Sequence, residues 1–232
     1  TMKLYAVSDG PPSLACRQAL KALNINYELI PVDYCKGEFL TKEYEELNPQ
    51  REIPTLVDGD LTMGESHAIL QYLCDKYDKE GKYYPKDPKA RALVNHRLCF
   101  NLTTYYRNIS EYAFGPMFFE YERTEMGLKK LKMSLDVFEK YFTRTNFIYC
   151  AANTLTIADF AMITATIGLE AINFSLQPWP KVNKWYNDFK VKHPEFWEIA
   201  AGGLKELSDY EKNPDMTMTW VHPIHPMRKS KK

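Results

Sequence analysis

Three residues in the first third of the chain have the chemistry to bind a small charged ligand. Arg51 carries a planar guanidinium that can pair with a carboxylate. Glu65 and Ser66 stand directly before an apolar stripe typical of a helix. There the helix dipole favours an anion, and the Glu65 carboxylate can meet a cation. Taken alone, the same residues are equally compatible with an ordinary helix start and a solvated loop charge.

The cysteines indicate neither a disulfide framework nor a metal centre. They are odd in number, widely spaced and free of any C-x-x-C pair. We therefore expect reduced, mostly buried thiols, which are typical of a cytoplasmic protein, and no metal site. The five residues are Cys16, Cys35, Cys74, Cys99 and Cys150.

Charge and hydropathy argue against several other classes of function. Thirty basic residues balance thirty acidic ones, so no overall field attracts nucleic acid or an anionic membrane. No apolar run reaches the roughly 18 residues that a membrane helix needs, and the N-terminus lacks a secretory pattern. We expect no nucleic-acid partner, no membrane association and a cytoplasmic location.

The elements that must position the candidate residues follow the order β-α-β-α-β-β-α. Periodicity and turn residues predict strands at 3–7, 27–32, 54–57 and 61–63, and helices at 13–23, 41–47 and 65–77. A parallel strand pair joined by a helix, followed by an antiparallel hairpin and a helix, is the thioredoxin-like arrangement. We assign this α/β domain to residues 1–79.

The remainder of the chain is predicted to be all-helical. Residues 80–88, rich in Gly, Pro and Lys, read as a linker, and residues 89–232 as a helical domain. Thr156 and Asp159 have the form of a capping box in front of an apolar helix, which is a structural role. From about residue 213 we expect an irregular tail, in which Trp220 could dock on the body. The helices of the helical domain are predicted at 90–109, 127–142, 157–174, 181–192 and 195–211.

Four local motifs, in order along nearly the whole chain, resemble those of the cytosolic glutathione transferases. The likeness is to the insect delta and epsilon classes and their unclassified relatives. The resemblance implies a thioredoxin-like glutathione-binding domain and an all-helical domain that lines the electrophile site. The motifs are 48–54 (NPQREIP), 64–69 (GESHAI), 94–98 (VNHRL) and 155–159 (LTIAD).

The resemblance implies a glutathione site made from the first two motifs. Ile53 would pair its backbone with the cysteinyl unit, with Pro54 in the cis form. Glu65 would meet the γ-glutamyl ammonium, and Ser66 its carboxylate. Arg51 would hold the glycyl carboxylate where relatives commonly have His, whereas Phe39 stands where a second family His often lies. The implied glutathione-binding residues are Gln50, Arg51, Ile53, Pro54, Glu65, Ser66 and His67.

Thiol activation is the open part of the resemblance. A free thiol has a pKa of about 8.5, and a hydroxyl at the N-terminus of the first helix would lower it. An ungapped alignment puts Gly10, which can offer only a backbone N–H, at the family's serine position. Ser8 precedes it, and Ser13 begins the S-x-x-C-R string that the family uses. Both serines stay candidates, with Ser13 ahead, while Cys16 is too far into the helix to act as a nucleophile.

An aromatic stretch of the helical half is expected to line the electrophile site. Aromatic side chains suit an adaptable apolar pocket, although helical spacing assigns about half of this stretch to the core. Arg107 is placed near the mouth, and Asn101 replaces an Asp of many relatives. The expected lining residues are Tyr105, Tyr106, Phe118 and Phe119.

The family expectation is a homodimeric enzyme that conjugates glutathione, its co-substrate, to small hydrophobic electrophiles in xenobiotic detoxification. Gly10 keeps two alternatives open. The first is a non-catalytic protein that binds glutathione or hydrophobic ligands. The second is another glutathione-dependent activity, such as isomerisation, dehydrochlorination or peroxide reduction.

Overall fold

A computed structural model describes residues 1–213 and 220–226 of the chain. The N-terminal region, up to Tyr77, contains a four-stranded sheet in the order β2-β1-β3-β4. Strand β2 is parallel to β1, and the other neighbours are antiparallel. This sheet, with helices packed on it, confirms the thioredoxin-like arrangement. Its elements are β1 (Lys3–Ala6), α1 (Pro11–Ala22), β2 (Glu28–Pro31), a 3₁₀ turn (Glu38–Leu40), α2 (Lys42–Leu47), β3 (Thr55–Asp58), β4 (Leu61–Met63) and α3 (Ser66–Tyr77).

The register of the sheet follows from the alternation of apolar residues along β1. Leu4 and Ala6 are buried, whereas Lys3 points outward, where it forms an ion pair with Glu28 of β2. Leu4 is opposite Leu56 of β3, and both side chains are fully buried. The centre of the sheet therefore provides a rigid floor from which the β1–α1 turn projects.

The second part consists of helices. The helix predicted to end at residue 109 continues to Phe118 through two π-helical turns. At the end of the second turn Pro116 falls at the start of a short helix, where its missing N–H needs no partner. The elements are α4 (Pro88–Phe100), a π-turn (Asn101–Tyr105), α5 (Tyr106–Ile109), a second π-turn (Ser110–Phe114), α6 (Gly115–Phe118), α7 (Glu125–Thr145), α8 (Ile157–Ala171), α9 (Pro180–Lys192) and α10 (Pro194–Lys212).

Helix α8 is the core of this half, and its N-terminus is held by a buried carboxylate. Asp159 accepts hydrogen bonds from the N–H groups of Cys150 and Thr156 and from the indole of Trp185, each at 2.9 Å. Thr156 and Asp159 form the capping box of α8. Full burial raises the pKa of Asp159. The site is structural, because its bonds join the helix to a loop and to α9.

Helix α10 joins the helical half to the β1–α1 turn. A Cβ atom on Gly203 would lie 2.6 Å from Leu14 Cδ1 and 3.3 Å from Asp9 Cα, so only glycine permits this approach. Gln18 Nε2 of α1 donates to the carbonyl of Phe196 at 2.9 Å. The position of the β1–α1 turn is therefore set by both halves of the chain.

The tail after α10 has no helix or strand at residues 220–226. Trp220 docks on the body as predicted, since its Nε1 donates to the carbonyl of Tyr34 at 2.7 Å. The predicted irregular tail also includes residues 214–219 and 227–232, which lie outside the described residues. The boundaries proposed at residues 79 and 88 stay a prediction.

Candidate functional site

Two adjacent cavities open beside the β1–α1 turn. We call the smaller, of about 180 Å³, the Arg51 cavity, and the larger, of about 550 Å³, the Ser8 cleft. They share Val7 and Tyr34. The Arg51 cavity is lined by Val7, Tyr34, Phe39, Arg51, Glu52, Ile53, His222 and His225. The Ser8 cleft is lined by Val7, Ser8, Asp9, Pro31, Val32, Asp33, Tyr34, Cys35, Glu38, Phe118, Glu206 and Tyr210.

Asn48 organises the segment that carries Arg51 and Ile53. Its side-chain amide donates to the carbonyl of Glu52 and to Thr55 Oγ1, both at 3.0 Å, and its oxygen accepts from the N–H of Gln50 at 3.1 Å. This buried asparagine fixes the loop on three sides. The contacts explain why Asn opens the first motif.

A close approach at Gly64 brings the first two motifs together. A Cβ atom there would lie 2.9 Å from Asn48 Nδ2, so a larger residue would push the motifs apart. Across this contact, Gln50 Nε2 donates to Glu65 Oε1 at 2.9 Å. Gln50 therefore positions the carboxylate of Glu65.

Arg51 and Glu65 both have left-handed backbones, with φ of 54° and 58°. The other non-glycine residues with positive φ in the described part of the chain are asparagines, which tolerate this region. For Arg and Glu the conformation carries a cost, and such residues cluster where a loop is shaped for a ligand. Both belong to the same candidate site.

Ile53 lines the Arg51 cavity. The peptide bond between Ile53 and Pro54 is cis, which confirms that prediction. Among the described residues, neither the N–H nor the C=O of Ile53 has a hydrogen-bond partner. An exposed donor and acceptor on one residue are what an extended peptide ligand needs in order to pair with the chain.

The N-terminus of α3 forms the next part of the site. Ser66, its first residue, is largely buried, and its hydroxyl and N–H lie at the positive end of the helix. The Cys16 thiol of α1 donates to the Ser66 carbonyl at 3.8 Å. Burial raises the pKa of Cys16, which suits a packing role and not a nucleophile.

Arg51 and Phe39, which line the Arg51 cavity, already have protein partners. The Arg51 guanidinium forms an ion pair with Glu45 of α2. Phe39 is buried and stacks on Tyr34 with ring centroids 4.8 Å apart. Phe39 therefore contributes an apolar wall to this cavity.

The three candidates for thiol activation occupy different environments. Ser13 is fully buried, where its hydroxyl accepts from the N–H of Val7 at 3.3 Å instead of facing a cavity. Ser8 is exposed in the Ser8 cleft and donates to Glu206 Oε2 at 2.6 Å. Gly10 caps α1, and its N–H has no hydrogen-bond partner within the described residues.

A half-buried carboxylate, Asp9, stands beside Gly10. Burial, followed by the nearby carboxylate of Glu206, raises the pKa of Asp9 to about 6. The same two residues add negative charge at the start of α1. They oppose a second anion there, in particular a thiolate.

His67, the second residue of α3, lies behind the candidate site, and its ring faces the first π-turn. Its Nε2 is 3.2 Å from Asn101 Nδ2, and burial lowers the pKa of His67 to about 4. The ring is therefore neutral at pH 7, with Nε2 accepting from the amide. His67 Nδ1 and Asn101 Oδ1 are buried without a partner in the described part of the chain.

The predicted electrophile-site aromatics separate into three groups. Phe118 lines the Ser8 cleft, whereas Tyr106 and Phe119 line another cavity of about 560 Å³, whose lining also includes Arg107. Tyr105 lies in the helical core instead: it is fully buried and hydrogen-bonded to Thr166 Oγ1 at 2.9 Å. The helical spacing of the stretch did not show which face each ring occupies.

Several residues of the two cavities were not found from the sequence. Glu206 and Tyr210 come from α10, and His222 and His225 from the tail. No local pattern links these positions to the β1–α1 turn. Asp9 could have been suspected from its place beside Gly10.

Comparisons with known proteins identify the family of the chain. Residues 4–81 match the glutathione S-transferase N-terminal domain, and residues 120–188 match the C-terminal domain. A curated relative, glutathione S-transferase D7 of Anopheles gambiae, is 36% identical over 86% of this chain and 89% of its own. The chain belongs to the glutathione S-transferase family. The region matched by the N-terminal domain contains the loop that carries Arg51 and Ile53.

Solved structures of insect glutathione transferases share this fold. A diazinon-metabolizing glutathione S-transferase of the silkworm Bombyx mori is 56% identical, with a TM-score of 0.85 over 89% of this chain and 99% of its own. A delta-class glutathione transferase of Nilaparvata lugens is 33% identical, with a TM-score of 0.86 over 91% of this chain and 99% of its own. The predicted relation to the insect classes is confirmed.

The protein is therefore a transferase with glutathione as its co-substrate. No helix in the described part is long and apolar enough to cross a membrane. Within residues 1–213 and 220–226, no cluster of three or more His, Cys, Asp or Glu side chains could hold a metal ion.

Proposed function

We propose that this transferase holds glutathione along the Arg51 cavity and conjugates its thiolate to small hydrophobic electrophiles bound in the Ser8 cleft. The observation that carries the proposal is the unpaired backbone of Ile53, which lies between Arg51 and the N-terminus of α3. An extended peptide paired with Ile53 would place its ends at these two positive groups. The cysteinyl thiol would then face the β1–α1 turn.

The γ-glutamyl end of glutathione fits the N-terminus of α3. The Ser66 hydroxyl and the first N–H groups of the helix can donate to its carboxylate. Glu65, held by Gln50, can accept from its ammonium. His67 supports the helix start from behind, where its ring lies against Asn101. Like Glu65 and Ser66, it is not among the residues that line the Arg51 cavity, and its part in glutathione binding stays a prediction.

The thiolate is stabilised by the N–H of Gly10 and by the positive end of α1. Of the two serines, Ser8 is the one at the surface of the cleft. It can donate to the thiolate when it leaves Glu206. Ser13 has a structural role, since its hydroxyl accepts from the N–H of Val7 and so holds the turn.

Electrophiles bind against the apolar wall formed by Phe118 and Tyr210, which pack edge to face with ring centroids 5.6 Å apart and both line the cleft. The cleft also contains Asp9 and Glu206, so neutral or cationic hydrophobic compounds suit it better than anionic ones. Diazinon is a suitable first substrate, because the silkworm relative metabolizes it.

A titration of the bound glutathione thiol tests the assignment of Ser8. Ultraviolet difference spectra of wild type, Ser8→Ala and Ser13→Ala would be followed against pH. We expect Ser8→Ala to raise the thiol pKa by about one unit, the equivalent of one hydrogen bond to a charged group. Ser13→Ala should leave the pKa unchanged and lower the free energy of unfolding.

Two results would change the proposal. Unchanged thiol pKa values in both variants would leave Gly10 and the helix dipole as the activating groups. Tight glutathione binding without turnover of diazinon or of a general aryl halide would support the non-catalytic alternative.

A homodimer is part of the proposal, with α3 and α4 in the interface. Leu102, in the π-turn that follows α4, is 45% exposed in the isolated chain and would be covered by a partner. A solution mass of a single chain would contradict the dimer. A cytoplasmic location is supported by the cysteines, all five of which are free thiols.

A further inference from the structure

Two histidines of the C-terminal tail line the Arg51 cavity. His222 and His225 face it together with Arg51, Ile53 and Phe39, although more than 160 residues separate them from this loop in the sequence. Both rings are half-buried, and their centroids are 4.1 Å apart. The cavity thus combines imidazole donors with the loop that carries the cis proline.

Contacts on both sides fix the tail at this cavity. Trp220 packs edge-on against Phe39, with centroids 5.2 Å apart, and donates to the Tyr34 carbonyl. Its ring also lies against Gly37, where a Cβ atom would be 2.9 Å away. At the other side the Pro226 carbonyl accepts from the N–H of Glu120 at 2.9 Å.

The hydrogen bonds of His222 leave one nitrogen available to a ligand. Its Nδ1 accepts from the N–H groups of Ile224 and His225, at 3.2 and 3.1 Å. In the neutral ring the proton is therefore on Nε2, which is a donor. His225 stacks on Phe119 at 4.4 Å, and its Nδ1 is 3.0 Å from the hydroxyl of Tyr121. Burial lowers the pKa of both histidines.

The remaining groups of the cavity leave an anion short of donors. Arg51 forms an ion pair with Glu45, Phe39 is apolar, and Glu52 adds a carboxylate. A carboxylate that enters this cavity needs N–H donors in addition to Arg51. Among the described lining residues, the side-chain N–H donors besides Arg51 are on the two histidines, and Tyr34 adds one O–H.

We propose that His222 and His225 bind the glycyl carboxylate of glutathione through ring N–H groups, together with Arg51. This inference rests on the proposed placement of glutathione along Ile53. It gives the tail a part in substrate binding and makes Trp220 a positioning residue. The tail thereby compensates for the apolar Phe39.

Binding of glutathione and of its glycyl monoethyl ester tests the proposal. In the ester a neutral ethyl ester group replaces the glycyl carboxylate. We expect wild type to bind the ester about tenfold more weakly than glutathione, the effect of a hydrogen bond to a charged group. The double variant H222L/H225L should bind glutathione several-fold more weakly than wild type but no more weakly than the ester, because Arg51 still faces the carboxylate. Its affinity for the ester should equal that of wild type. Calorimetric titration measures all four dissociation constants.

Two further variants complete the experiment. Trp220→Ala should cause the same loss for glutathione and none for the ester. His96→Leu, an exposed histidine on α4, should leave both affinities unchanged. Unchanged glutathione affinity in H222L/H225L, or equal losses for both ligands, would overturn the proposal. Failure of wild type to bind glutathione would instead reject the placement on which it rests.

Discussion

The two helix N-termini that face the proposed glutathione site differ in what they can offer an anion. Helix α3 begins with Ser66 and has all the N–H groups of its first turn. Helix α1 begins with Pro11 and Pro12, which have no N–H, and its first serine is buried. The start of α3 is built to bind a carboxylate, whereas the start of α1 offers a thiolate little besides the Gly10 N–H and the dipole.

Charge sharpens this difference. Next to the start of α1, the carboxylates of Asp9 and Glu206 oppose a thiolate. Next to the start of α3, the Glu65 carboxylate has a cationic target, the γ-glutamyl ammonium of the proposed ligand. In the proposed site, the helix start that binds the carboxylate therefore offers more donors and a more favourable charge than the one that activates the thiol. Four predictions test this contrast.

The largest expected effect is on the pH dependence of the free energy of unfolding, to which one titrating residue at the start of each helix contributes. His67 has a folded pKa of about 4, below its unfolded value, so the folded state binds fewer protons between these values. Stability is therefore full above about pH 6.5 and is lost as pH falls, by about 3 kcal/mol in total. Chemical denaturation of His67→Gln should show this slope removed.

Asp9 near α1 provides the opposite control. Its folded pKa of about 6 lies above the unfolded value, so stability falls as pH rises through this range. Asp9→Asn should therefore stabilise the protein at pH 7 by about 2 kcal/mol and have little effect at pH 4. If His67→Gln and Asp9→Asn changed the slope of the free energy of unfolding against pH in the same direction, the contrast would be contradicted.

The next effect compares two serines in helix first turns. Ser66→Ala should weaken glutathione binding about 30-fold, or ~2 kcal/mol, because it removes a donor to a carboxylate. Ser13→Ala should leave the affinity unchanged and lower the free energy of unfolding by about 1 kcal/mol, because the N–H of Val7 loses its acceptor. Calorimetry and urea denaturation separate the two outcomes. The reversed pattern, with weaker binding in Ser13→Ala and lower stability in Ser66→Ala, would contradict the roles given to the two helices.

Two adjacent glycines test how α10 holds the β1–α1 turn. Gly203→Ala should lower the free energy of unfolding by roughly 1–2 kcal/mol, because the new methyl group meets the fully buried Leu14 and the backbone of Asp9. Gly202 has no atom within 4 Å of an added Cβ, so Gly202→Ala should stabilise by up to about 1 kcal/mol. Equal effects would mean that the close approach does not constrain the turn.

The smallest expected effect is electrostatic. Glu206→Gln removes a negative charge near the start of α1 and weakens the hold on the Ser8 hydroxyl. The pKa of the bound glutathione thiol should fall by about half a unit. Spectroscopic titration measures the shift, with Glu198→Gln on the outer surface of α10 as the control. A thiol pKa that rises instead would show that Glu206 positions a donor.

Much of the fold could be predicted because its signals are local. Strand alternation, prolines at the start of α1 and the turn at Gly59 determine elements whose bounds agree with prediction within a few residues. The helix predicted at 90–109 was too short, since the chain stays helical beyond Ile109 and through Gly115 and Pro116. The π-turn preceding α6 is what accommodates them.

The amino-acid sequence by itself determined the elements, the family and the segment that carries Arg51, Ile53 and Ser66, since these depend on residue types at short spacing. Only the tertiary structure decided which candidate side chains line a cavity. Ser13 and Tyr105 are buried by helices far away in the chain, and His222 is brought into the Arg51 cavity by the docking of Trp220. Burial and long-range approach depend on how elements pack, and no local pattern records that.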